Sequence, residues 1–142
     1  MVDCKGAPTP FLSRLKLEAS CSSPLVDATL YHQLVGSLIY LTHTRPDISY
    51  VVGLVSRFMQ EPHELHWKAA KRILHYVQGT RNYGIRYAAG TDIDLVGYTD
   101  LDWTTDSQDR KSTSGYCFSL GSGPISWSSE KQSAIALSST EA

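Results

Sequence analysis

The chain has 142 residues, 42% hydrophobic and 19% charged, a composition that folds and excludes an intrinsically disordered protein. With 13 basic and 14 acidic side chains the formal net charge is −1, so any nucleic-acid-binding surface has to arise from local segregation of charge. Three cysteines with no CxxC pair exclude a disulfide framework and a cysteine zinc site, and suit three thiols in a reducing compartment.

Residues 1–24 read as an extended, poorly packed arm, because Pro8, Pro10 and Pro24 discourage regular structure. The first 20 residues carry Lys5, Arg14 and Lys16 and lack the apolar run of a secretory signal. No stretch approaches the roughly 18 apolar residues of a membrane span. The expectation is an intracellular chain with no membrane partner.

From Asp27 the texture changes. Leu30, Leu34, Leu38 and Leu41 recur at helical spacing, and Tyr31, Val35 and Ile39 widen the apolar face, which predicts a helix over 27–43. Thr44-Arg45-Pro46-Asp47 then opens a second helix, with proline just inside its start and an acid in its first turn. Val51, Val52, Val55, Phe58 and Met59 supply its buried side, and it should end near Glu61-Pro62. A third helix is predicted over 64–78. Trp67, Ala70, Leu74 and Val77 form its apolar stripe, Lys68, Lys71, Arg72 and His75 lie along a neighbouring face, and Gly79 closes it.

After residue 80 the period becomes two. Gly84–Tyr87, Leu95–Asp100, Gly115–Leu120 and Pro124–Ser129 are strand candidates, with Gly121-Ser122-Gly123 as a hairpin connection. A helix-like start follows over 133–142. The fold class is α+β: a three-helix segment, then an antiparallel meander feeding a helix.

Asp100 and Asp102 fall at the end of the first meander strand, and side chains two apart on a strand share a face. Paired carboxylates are hard oxygen ligands for Mg²⁺, and two such ions promote phosphodiester hydrolysis. The plainer alternative is a solvated turn or a helix cap. The basic row Lys68, Lys71, Arg72 and His75, extended by Arg81 and Arg86, suits either a phosphate backbone or a solvated helix face. His63-Glu64-Leu65-His66 is one residue short of HExxH, so packing or capping is expected there rather than metal binding. Asp109-Arg110-Lys111 reads as a polar hairpin tip. Trp103 and Trp127 suit base stacking or packing over the sheet.

The strings Gly97-Tyr98-Thr99-Asp100-Leu101-Asp102-Trp103, Asp109-Arg110-Lys111-Ser112-Thr113-Ser114-Gly115-Tyr116, Pro124–Ser129 and Ala136–Ala142 resemble the ribonuclease H region of copia-type retrotransposon polymerases. Tyr31–Leu41, Thr44–Ile48, Ser56-Arg57-Phe58 and His66–Leu74 resemble the reverse transcriptase thumb and connection before it. Asp3-Cys4-Lys5 with Thr9-Pro10 resembles the end of the reverse transcriptase core. The resemblance covers essentially the whole chain, in order.

That resemblance implies a division into an arm (1–24), a thumb/connection-like helical segment (25–80) and an incomplete ribonuclease-H-like domain (81–142). It implies that Asp100 and Glu141 correspond to the first two nuclease carboxylates and ligands of Mg²⁺. The further aspartates of the family are expected beyond Ala142, and the reverse transcriptase Asp-Asp pair before Met1; the chain contains no Tyr-x-Asp-Asp string. A sheet without its later strands keeps an open edge and an uncovered apolar face. The expectation is therefore a polymerase remnant that needs no cofactor of its own and has at most residual affinity for an RNA–DNA hybrid or template–primer duplex. The alternative is a non-enzymatic interaction protein, such as a copia-derived secreted pathogen effector. Against that, Arg14-Leu15-Lys16-Leu17 departs from an Arg-x-Leu-Arg pattern.

Overall fold

The computed structural model describes residues 4–12, 15–18, 22–90, 92–102 and 111–132, and for residues 101 and 102 the backbone alone. Among them are three α-helices, a short 3-10 helix and a three-stranded antiparallel sheet, so the fold is mixed α and β. They form two compact units, one up to Gly84 and one from Ile85.

In the first unit, α1 (Ala28–Leu41) starts where the Asp27 carboxylate accepts from the backbone N–H groups of Thr29 at 2.8 Å and Leu30 at 3.3 Å. Such a cap is worth about 1 kcal/mol. The helix buries Tyr31, Val35 and Leu38. The Tyr31 hydroxyl donates to the Val55 carbonyl at 2.7 Å, and burial pushes this phenol's pKa up, which keeps it a donor.

A 3-10 turn at Pro46–Ile48 leads into α2 (Ser49–Ser56), which packs through Val51, Val52 and Val55. This helix stops well short of the expected Glu61-Pro62. Apolar spacing continues through Phe58 and Met59, but both are claimed by tertiary partners. Phe58 stacks on the His66 ring at 3.9 Å, and the Met59 carbonyl bonds His32 Nε2 at 2.7 Å. α3 (Glu64–Gly79) then buries His66, Ala69, Ala70 and Ile73 against the same core.

His66 is a buried packing and capping residue, the role expected for this pair of histidines. Its Nδ1 accepts from the His63 backbone N–H at 3.0 Å, while Nε2–H donates to the Glu18 carbonyl at 3.0 Å. His63 Nδ1–H donates to the Ser23 carbonyl at 2.6 Å. Burial holds the His66 pKa below its usual value of 6.5, so below that pH the unfolded chain binds the proton that the folded chain refuses. Stability should therefore fall as pH drops below about 6.5. Urea melts at several pH values should show that slope in the native chain. His66→Gln should flatten it and cost about 1–3 kcal/mol.

The described residues of the arm form no helix or named strand, as its prolines direct, yet several of them pack against the helices rather than lying loose. Phe11, Leu15 and Leu17 lie against the helical core. Val26 N–H bonds Pro62 O at 2.9 Å, and Glu64 N–H bonds Pro24 O at 2.8 Å, around a bridge between Leu25 and His63. Just after α3, Tyr83 N–H bonds Thr80 O at 2.9 Å and closes a turn.

In the second unit, β1 (Leu95–Asp102), β2 (Thr113–Leu120) and β3 (Gly123–Lys131) form a meander in the order β1-β2-β3. Asp100 lies opposite Gly115 and Cys117 opposite Trp127. The β2–β3 turn is Gly121–Ser122, with Gly121 in the left-handed region at φ 56°. Gly84–Tyr87 forms no strand. Residues 87 and 88 are instead fastened to the far hairpin by the Tyr87 hydroxyl to Pro124 O at 2.6 Å and Ala88 N–H to Ser122 Oγ at 2.8 Å. The expected helix start over 133–142 lies outside the described residues.

Candidate nucleic-acid interface

Lys68, Lys71, Arg72 and His75 recur at i, i+3, i+4 and i+7, which places them along one side of α3. The arm crosses this side. Its Ala7 N–H donates to His75 O at 3.1 Å, His75 Nδ1–H donates to Lys5 O at 3.1 Å, and Arg72 donates to Thr9 Oγ1 at 3.1 Å. Gly6 meets Gly79 backbone to backbone: a Cβ on Gly6 would lie 2.7 Å from Gly79 Cα. Between arm and helix is a groove of about 450 Å³, lined by Lys5–Pro8 and by Lys68, Lys71, Arg72 and His75. None of these lining residues is acidic.

The cations differ in how they are held. Lys68 reaches Glu64 at 3.0 Å, an exposed i,i+4 pair worth only about 0.3–0.5 kcal/mol and readily exchanged for a phosphate. Lys71 Nζ stands 5.1 Å from the Trp67 ring centroid. Arg72 Nε is shut from solvent and makes no hydrogen bond. Lys5 escaped the sequence reading, since nothing in local spacing ties residue 5 to residues 68–75.

A second polar cluster fixes the end of α3. Arg45, 5% exposed, grips Asp47 through Nε at 2.9 Å and a terminal nitrogen at 2.8 Å. It also donates to Thr80 O at 3.1 Å and Thr80 Oγ1 at 2.8 Å, with its guanidinium 5.7 Å from the Tyr76 ring centroid. The Tyr76 hydroxyl adds a bond to Asp47 at 2.9 Å. Thr44-Arg45-Pro46-Asp47, read from sequence as a helix start, is thus also the clamp on the helix that carries the basic row.

The remaining candidates are dispersed. Asp100 is exposed within β1, which runs on to Asp102 instead of ending at residue 100. Glu141, Trp103, Asp109 and Arg110 lie outside the described residues. Among the described residues no group of three His, Cys, Asp or Glu side chains is arranged to hold a metal ion. Arg81 is exposed just after α3, whereas Arg86 belongs to the second unit. Trp127 is half-buried in β3. Among the described residues no helix is long and apolar enough to cross a membrane.

No family model and no solved structure matches the chain. Along its whole length, however, it is 48% identical to the retrovirus-related Pol polyprotein from transposon RE1 of Arabidopsis thaliana, covering 10% of that protein. It is 45% identical, again over its whole length, to the corresponding polyprotein from transposon RE2 of the same plant, also covering 10%. The chain belongs to the copia-type Pol polyproteins of retrotransposons. It spans about a tenth of the length of the Pol polyproteins it matches. It is also 47% identical over 112 residues to secreted RxLR effector protein 161 of Plasmopara viticola, an alignment covering 78% of this chain and 79% of that one. The Pol segment thus has a near relative of comparable size that carries a different name.

Proposed function

We propose that this Pol-derived chain corresponds to the thumb and connection of a copia-type reverse transcriptase and to the leading strands of its ribonuclease H, and that by itself it holds nucleic acid without copying or cutting it. The observation that carries this reading is the groove, where basic residues from two distant stretches of chain converge without a lining carboxylate. Such a surface suits the phosphates of a template–primer duplex or an RNA–DNA hybrid, in which affinity comes mainly from neutralising backbone charge. The antiparallel order β1-β2-β3, with β1 at an edge, suits the start of a ribonuclease-H-like sheet that later strands would extend.

Asp100 offers the hard carboxylate oxygen that Mg²⁺ favours, and with Glu141 it would hold the ion that supports hydrolysis in a complete nuclease. One exposed carboxylate on a strand binds such an ion weakly. The test is an RNA–DNA hybrid incubated with the chain and Mg²⁺. Binding without cleavage is expected, and Asp100→Asn should leave binding unchanged. Cleavage by the native chain that disappears in Asp100→Asn would overturn the inactive assignment.

A second reading has its own support in the similarity to the secreted effector, which extends over most of both chains. On that reading the same fold serves as a protein-binding module outside the cell that makes it. Recovery of the chain from culture medium, together with no measurable affinity for hybrid, would favour it over the first.

A further inference from the structure

We propose that the groove between the arm and α3 is a discrete seat for a single phosphate group, completed by the arm, rather than one stretch of a diffuse basic face. The proposal rests on the nucleic-acid reading of this side of α3 and specifies its ligand chemistry.

Three observations point to a seat. The volume of about 450 Å³ falls in the range of small-ligand clefts, roughly 300–1,000 Å³. Arg72, which lines the groove, has its guanidinium held against the arm by a terminal nitrogen donating to Thr9 Oγ1 at 3.1 Å. A phosphate oxygen is the acceptor a guanidinium pairs with best.

The third observation is how the arm is held. Its backbone is anchored on both sides of Gly6, by Ala7 N–H to His75 O and by Lys5 O to His75 Nδ1–H. Gly6 itself rests on Gly79 with no room for a side chain. This close approach brings Lys5 beside residues some 65 positions later in the sequence. A diffuse basic face would need no such contact, because any lysine near the helix would serve.

A neutral substitution separates the two cases. Gly6→Val leaves every charge in place, but its side chain would collide with the Gly79 backbone and displace Lys5 from the groove. The whole chain would be titrated with inorganic phosphate, followed by the backbone amides of residues 5–8 and 68–75 in NMR spectra, and in parallel with an RNA–DNA hybrid. Saturable shifts at these amides are expected in the native chain, weakened about 5-fold or more in both Gly6→Val and Lys5→Gln. Hybrid affinity should fall about 3- to 10-fold in each, and the salt slope in Lys5→Gln by about 0.9, the value for one phosphate contact.

If Gly6→Val keeps the native amide spectrum at α3 and native affinity for both probes, the seat is refuted. If Lys68→Gln and Lys71→Gln still weaken hybrid binding in that case, the nucleic-acid reading stands without it. If none of these variants changes hybrid binding, both fall. Phosphate shifts that do not saturate, alongside normal hybrid binding, also refute the seat. Lys5→Gln is exposed and leaves the backbone contacts intact, so it decides the matter if Gly6→Val does not fold.

Discussion

Replacing Arg45 by alanine should lower the unfolding free energy of the helical unit by about 3 kcal/mol, at the lower end of the roughly 3–5 kcal/mol that removing one partner of a buried ion pair costs. The lower end applies because the Asp47 side chain keeps 34% exposure while that of Arg45 keeps 7%. The loss has several parts. Asp47 forfeits its two-point grip, and the Thr80 carbonyl and hydroxyl lose their donors where α3 ends. Lysine should rescue little, since one ammonium cannot span both carboxylate oxygens and reach Thr80. Urea denaturation followed by helical circular dichroism gives the number; a change below about 0.5 kcal/mol, in the range of ordinary surface substitutions, would refute the clamp.

The same clamp has a pH signature. The hydrogen bonds from Arg45, with that from Tyr76, hold the Asp47 pKa below its usual value of 3.8. A depressed carboxylate contributes stability that is fully present above its unfolded pKa and is lost as pH falls through the folded one. Acid unfolding of the native chain should therefore steepen below about pH 4, and Asp47→Asn should remove that component.

Neutralising Lys68, Lys71 and Arg72 together, each to glutamine, should weaken binding to an RNA–DNA hybrid by on the order of 10- to 100-fold at low salt. The three side chains lie on one side of a helix whose fold does not depend on their charge. Arg72 makes one side-chain bond, to Thr9, and Lys68 one exposed ion pair, so stability should change by less than about 1 kcal/mol. Fluorescence anisotropy on a labelled hybrid, with circular dichroism to verify the fold, checks both parts. An unchanged affinity in a folded variant would place nucleic acid elsewhere on the molecule.

Local pattern carried much of this structure. The leucine spacing of α1, the amphipathic face of α3 and the alternation of the meander strands each depend on neighbours within a few residues, and those helices and strands are present. What escaped depends on contacts distant in sequence. α2 ends early because Phe58 and Met59 are drawn to His66 and His32, which apolar periodicity cannot register. Arg45 owes its role to Thr80, 35 residues away, and Lys5 joins the groove through His75, 70 residues away. Gly84–Tyr87 has strand-forming residues but no ladder to join; side-chain bonds to the β2–β3 hairpin hold that stretch instead. The basic row was legible as a row. Its conversion into a groove was not, because the other wall is an arm without periodicity.

The salt dependence of hybrid binding by the native chain tests the central claim most directly. With a phosphate held in the groove by Lys5, Lys68, Lys71 and Arg72, a plot of log K against log salt concentration should fall with a slope of about −0.9 or steeper, about −0.9 for each phosphate neutralised. The triple glutamine variant should give a slope shallower by about 0.9 or more. A native slope near zero, or equal slopes in the two proteins, would contradict the assignment of this groove to nucleic acid.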